Sequence, residues 1–91
     1  MVVSACSVSR PAAEDTGQQI YVQLCANCHG ANLEGVIGPP LGPGSNSASQ
    51  PDEFLRFAIT NGRGRMPSFR AVLDEGQVDA LITYIREVQR N

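Results

Sequence analysis

Cys25-Ala26-Asn27-Cys28-His29 sets two thiols two residues apart, with an imidazole directly after them. The pattern suits covalent attachment of a haem. Each thiol can add to a vinyl group of the porphyrin, and the histidine that follows can ligate the iron. About one helical turn separates the two sulfurs, so both reach the same edge of the ring. His29 is the single histidine of the chain, so no other imidazole can take that position. Two other chemistries use a Cys-x-x-Cys pair. A redox dithiol wants a strand leading into a helix, and no strand pattern precedes Cys25. Structural zinc wants four ligands. Cys6 is the only further cysteine, and a histidine next to Cys28 is poorly placed for tetrahedral closure.

An iron held by one imidazole either takes a sixth ligand or leaves that position open. The chain has two methionines, Met1 at its end and Met66. Met66 lies 37 residues beyond His29, between Gly64 and Pro67, in a stretch with no helical pattern. Glycine permits a tight turn and proline stiffens the backbone beside the sulfur. A thioether is a soft ligand that favours Fe(II) and raises the reduction potential. Methionines that only fill a core usually sit on helix faces, so Met66 reads as the sixth ligand.

The elements that carry these residues are helices. Asp15 is placed to cap a first helix, with Gln18 three residues later as in a capping box. Ile20, Tyr21 and Leu24 follow at helical spacing and deliver Cys25 and Cys28 to the helix end. Gly17, Tyr21 and Cys25 fall on one face, and a glycine there lets another helix come close. Residues 30–49 are rich in Gly, Pro, Ser and Asn and read as a loop with a task, because long loops in small domains usually have one. Within it, a carbonyl of Gly38-Pro39-Pro40-Leu41 can accept the Nδ1–H of His29 and fix the ring.

A second helix is expected from Pro51 to Thr60, with Pro51 at its first position and Asp52 and Glu53 at the positive end of its dipole. Asn61-Gly62 stops it. A last helix starts at Asp74, with Gln77 three residues on. Its stripe is Val78, Leu81, Ile82, Ile85 and Val88. The fold class is all-α: three main helices and two long loops.

Length and composition bound the remainder. Ninety-one residues make one small domain. A core this limited usually needs a staple, and a covalent haem would serve as one. A net charge of -2 and the absence of a basic run give no support for nucleic-acid binding. No apolar run is long enough to span a bilayer. Residues 1–14 read as a flexible tether and 15–91 as the haem domain. Val3-Ser4-Ala5-Cys6 resembles a lipoprotein cleavage box, and the expectation is lipidation of Cys6 in a longer precursor, with a free cysteine in the tail as the alternative. Arg56, Arg63, Arg65 and Arg70 follow one another with no acidic residue among them; they are read either as a docking face for an acidic partner, or as donors to the haem propionates or merely solvated charges.

Together these segments resemble the class I cytochromes c, most closely the small bacterial monohaem ones, from about Asp15 to Val88. The resemblance rests on Gly17, Tyr21, the Cys25-to-His29 motif, Gly38-Pro39-x-Leu41, Asn61-Gly62-x-Gly64-x-Met66-Pro67-x-Phe69, and Leu81-x-x-Tyr84. It implies a small cytochrome c fold wrapped around one haem c, bound through Cys25 and Cys28, with His29 and Met66 on the iron. It implies that the Pro39 carbonyl holds His29, that Leu41, Ile59 and Phe69 line the pocket, and that Gly17 and Tyr21 meet Leu81 and Tyr84 where the first and last helices cross. The implied function is one-electron transfer by a monomer that is not an enzyme. Its expected setting is the bacterial periplasm or the outer face of the cytoplasmic membrane. The implied partners are a quinol-oxidising complex, a terminal oxidase or a reductase. The alternatives are a haem domain of a larger redox enzyme, or a sensor or peroxidase with a labile sixth ligand. The family often carries lysines around the haem edge; this chain has none.

Overall fold

The computed structural model describes residues 10–90. Cys6 and most of the expected tether lie outside the described residues. Four helices carry the fold: α1 (Gly17–Leu24), α2 (Ala26–His29), α3 (Asp52–Asn61) and α4 (Glu75–Gln89). The described residues hold no strand, only an isolated bridge between Arg63 and Met66. None of their helices is long and apolar enough to cross a membrane.

The first helix starts one residue later than its sequence suggested. Thr16, not Asp15, is the cap: its hydroxyl accepts from the Gln19 amide at 3.1 Å, and the Gln19 side chain accepts from the Thr16 amide at 2.7 Å. Asp15 is engaged elsewhere, accepting from the Ala12 amide and from the Gln23 side chain. Residues 10–14, placed in the tether by sequence, are tied to the domain. Arg10 donates to the Ala71 carbonyl, Gln77 donates to the Ala12 carbonyl, and Pro11 is buried.

The helix also divides at Cys25, where the sequence suggested continuity. The Cys25 carbonyl accepts from the amides of both Cys28 and His29, and α2 restarts from that shared acceptor as a single turn. At the other end of the chain, α4 follows its pattern. Asp74 and Gln77 complete the capping box, and Val78, Leu81, Ile82 and Ile85 are buried, with Val88 partly so. Pro51 stands just before α3 as its cap rather than as its first residue, and Gly62, at φ +78°, ends that helix.

The core forms where α1 crosses α4. A Cβ on Gly17 would stand 2.1 Å from the Ala80 carbonyl oxygen, so only glycine allows this approach. The Tyr21 and Tyr84 rings lie 5.6 Å apart and tilted by 50°. Ile20, Tyr21 and Leu81 are fully buried. One element had no sequence signal: a 3₁₀ turn at Asn46–Ser49, which packs the buried Ser47 against the end of α4.

Candidate functional site

Helix α2 and its approach set out the three residues of the motif. Cys25 is buried, Cys28 is half-buried, and His29 is buried at 8% exposure. Burial, with a smaller contribution from Cys28, pushes the Cys25 thiol up to about 12. A reactive dithiol needs the opposite shift, because the thiolate is the nucleophile. Among the described residues no group of three or more His, Cys, Asp or Glu side chains could hold a metal ion. The buried Cys25 thiol is thus a poor nucleophile in this arrangement.

The loop after α2 folds back over the histidine. His29 Nδ1 lies 2.8 Å from the Pro39 carbonyl oxygen. A carbonyl only accepts, so Nδ1 carries the proton and Nε2 keeps its lone pair for a metal. Gly38 lies flat against the ring, since a Cβ there would be 2.9 Å from His29 Cε1. The amides of Val36 and Gly38 both donate to the Cys28 carbonyl, and Gly35 donates to that of His29. Leu33 takes a left-handed conformation at φ +60°, unusual for a non-glycine residue, and is buried. Its carbonyl accepts from both Leu41 and Gly42, which turns the chain back toward His29.

Met66 comes from the second loop. Arg63 and Met66 exchange both backbone hydrogen bonds, at 3.0 and 2.9 Å, around Gly64 at φ +59°. Met66 is partly buried and packs on the same apolar cluster that contains Cys25, Ile59 and Phe69; Leu41 packs on it too. The Phe69 amide donates to the Ile59 carbonyl, which fixes this loop to α3. Tyr21 reaches from α1 to donate its hydroxyl to the Gly30 carbonyl at 2.7 Å. Burial holds that phenol well above its ordinary value, so it stays protonated.

The donor set fits a haem. Two thiols stand at either end of one turn, an imidazole keeps a nitrogen for a metal, and a thioether packs on the apolar cluster that contains Cys25. Sequence reasoning overlooked the pair Val36 and Ile37, 67% and 64% exposed, whose loop bonds to the Cys28 backbone. Two adjacent β-branched residues in a polar loop were the available signal. The expected run of four free arginines is also reduced. Arg56 pairs with Asp79 across α3 and α4, and Arg70 bonds to Asn61, while Arg63 lies over the Phe54 ring at 5.0 Å.

Comparison with known proteins points the same way. The profile of the family described as cytochrome c oxidase, cbb3-type, subunit III matches residues 12–85. Cytochrome c-551 of Bacillus subtilis is 34% identical over 77 residues, covering 84% of this chain and 64% of that protein. The cytochrome bc1 complex cytochrome c subunit of Mycobacterium tuberculosis is 31% identical over 93 residues, covering 92% of this chain and 31% of the other. In solved structures, dihydro-heme d1 dehydrogenase NirN in complex with DHE superposes with a TM-score of 0.71 at 35% identity, over 77% of this chain and 15% of that one. The chain therefore spans less than two thirds of each of these proteins.

Proposed function

This chain belongs to the family of c-type cytochrome domains described as cytochrome c oxidase, cbb3-type, subunit III, and from that premise we propose that it works as a one-electron carrier. Its cofactor is haem c, bound covalently, and Cys25 and Cys28 have the spacing for the two thioether bonds. When bound, that group supplies a single reversible electron step at iron.

The chain's own residues hold and tune the site. His29 would ligate the iron through Nε2, with Pro39 fixing the ring and raising its basicity. Met66 would supply the second ligand from the protein. Leu41, Ile59 and Phe69 wall the site and keep water from it. The observation that carries this reading is the 2.8 Å contact from His29 Nδ1 to the Pro39 carbonyl, directly behind Cys-x-x-Cys. A ligated sixth position leaves no room for substrate, so the protein is read as an electron-transfer protein rather than an enzyme.

Partners are redox proteins: a quinol-oxidising complex, a terminal oxidase or a reductase. That a related chain is a subunit of a bc1 complex supports this choice. Contacts of this kind are small and short-lived. Exposed Arg63 and Arg65 beside Met66, with Val36 and Ile37 beside Cys28, offer a charged and an apolar component for such a contact. The setting proposed is the bacterial periplasm or the outer face of the membrane, with Cys6 as lipid attachment point and the protein as a monomer. A second reading, a haem domain within a larger redox protein, is favoured by the small share that the chain covers of the bc1 subunit and of the dehydrogenase.

The test is Met66→Ala in the haem-loaded protein. Acid–acetone should leave the red colour on the chain, the weak far-red band of methionine-ligated ferric haem should vanish, and the reduction potential should fall. An unchanged band and potential would remove Met66 from the iron. Colour lost to the solvent would remove the thioether bonds.

A further inference from the structure

The last turn of α4 holds the loop that holds His29. The Gln89 side-chain oxygen accepts from Arg86 Nη1 at 2.8 Å. This fixes which way the amide points, so its NH₂ group donates to the Leu41 carbonyl at 2.9 Å and to Ser47 Oγ at 3.2 Å. Arg86 is itself fixed. Its Nε meets Asp52 at 2.8 Å, and its other nitrogens donate to the carbonyls of Ser47 and Gln50. Four of its five N–H donors are thereby used, and its side chain is only 17% exposed.

Leu41 stands two residues after Pro39, whose carbonyl takes the proton of His29 Nδ1. Only Pro40 lies between. Proline fixes its own φ, and it also restricts the residue before it to extended conformations. Pro39-Pro40 therefore has fewer free dihedrals than an ordinary dipeptide, and a displacement of Leu41 passes in part to the Pro39 carbonyl. From the other side, the Leu33 carbonyl accepts from Leu41 and Gly42 at 2.9 and 3.1 Å. The segment is gripped at Leu41 between Leu33 and Gln89.

We propose that Gln89, oriented by Arg86, is a positioning residue for His29: it holds Leu41 so that the Pro39 carbonyl stays on Nδ1 and keeps the imidazole electron-rich. The proposal rests on His29 as iron ligand. A more basic imidazole stabilises the ferric state, so loosening this grip raises the reduction potential. If these bonds served only to fasten α4 to the 3₁₀ turn, their loss would change the melting temperature alone.

Two variants of the haem-loaded protein separate these roles. Gln89→Met keeps length and helix propensity but removes both the donor and the acceptor. Gln89→Glu keeps an acceptor for Arg86, and gains a charge pair, but cannot donate to Leu41. The readouts are exchange of the His29 Nδ1–H with solvent by NMR, the potential, and thermal melting. Gln89→Met should exchange roughly tenfold faster, as for loss of one hydrogen bond that restrains the segment, with the potential shifted upward. Gln89→Glu should keep its pairing with Arg86 and still exchange faster. Wild-type exchange in both variants, with wild-type potential in Gln89→Met, overturns the proposal even if stability changes. If Gln89→Met does not accumulate, exchange in Gln89→Glu decides alone. A wild-type protein with no strongly shifted histidine ring proton would instead overturn His29 as ligand, before either variant is compared.

Discussion

Gly17→Ala should be among the most damaging single-methyl additions in this chain. The new Cβ would lie 2.1 Å from the Ala80 oxygen, 2.8 Å from its carbonyl carbon and 3.1 Å from Tyr84 Cβ, where ordinary contact begins at 3.4 Å. Two of these neighbours are backbone of α4, so no side chain can turn aside. The helices must part by about an ångström. Inserting a methyl into a packed core costs about 1–3 kcal/mol. A gap of about 0.5–1 Å also forfeits a quarter to a half of each dispersion contact it opens, and Ile20, Tyr21 and Leu81 share this seam. Alanine returns at most about 1 kcal/mol of helix propensity, and less in a first turn. The net loss is about 2–3 kcal/mol, which for a domain of this size lowers the melting temperature by about 10–20 °C. Calorimetry of the haem-loaded protein measures it. Gly76→Ala is the control, because its Cβ would meet only Asp74 Oδ1 at 3.5 Å. A Gly17→Ala protein that melts with wild type or later would refute the close crossing.

Tyr21 should limit stability in alkali. Its phenol is held protonated by burial, so its pKa is higher folded than unfolded, where it is near 10. The stability it contributes is complete below about pH 10 and is lost as pH rises past that value. Tyr21→Phe should flatten the alkaline fall in denaturant midpoint, while costing about 1 kcal/mol at neutral pH by removing one of the two hydrogen bonds that the Gly30 carbonyl accepts, the other coming from the Leu33 amide; a wild-type midpoint flat to pH 11 would contradict this. Arg63→Glu with Arg65→Glu should remove most of the salt dependence of electron transfer to an acidic partner, since exposed charges act mainly on association rate; stopped-flow rates with an unchanged salt slope would move the docking face elsewhere. In a full precursor, Cys6→Ser should release the protein from membranes; equal solubility of variant and wild type in fractionation would end the anchor proposal.

What the sequence made legible was local chemistry. The stripe of α4 and the Asp74–Gln77 box could be read because period and cap are both properties of neighbouring residues. The Gly38-Pro39 segment stood out because proline and glycine restrict or free the backbone wherever they occur. Thr16 was passed over for Asp15 because both pairs, Asp15 with Gln18 and Thr16 with Gln19, satisfy the same spacing rule; the choice is made by Ala12 and Gln23, which claim Asp15. The 3₁₀ turn at 46–49 had no local signal at all. Its order comes from Arg86 and Gln89, about forty residues away, and such contacts leave no period to count. Leu33 was invisible for a similar reason: its left-handed backbone is imposed by the need to turn residues 38–42 back over His29.

These long-range bonds explain how so short a chain can hold an imidazole still. Helix α4 touches each segment that approaches His29. Near its start, Gln77 takes the Ala12 carbonyl, just ahead of α1. At its middle, Ala80 and Tyr84 receive Gly17 and Tyr21, which set the tilt of the helix that ends at Cys25. At its end, Arg86 and Gln89 secure the loop that supplies the Pro39 carbonyl. The backbone behind His29 and the carbonyl in front of it are thus registered against the same rigid rod. An electron carrier gains from this, because the iron's surroundings should change little between its two oxidation states. The thioether side takes its reference from α3 instead, through the Phe69 amide on the Ile59 carbonyl. Met66 is held by a two-bond hairpin at Gly64, where an added Cβ would meet nothing within 4 Å. The frame is stiff around His29, and more open at the loop that carries Met66, the proposed second ligand.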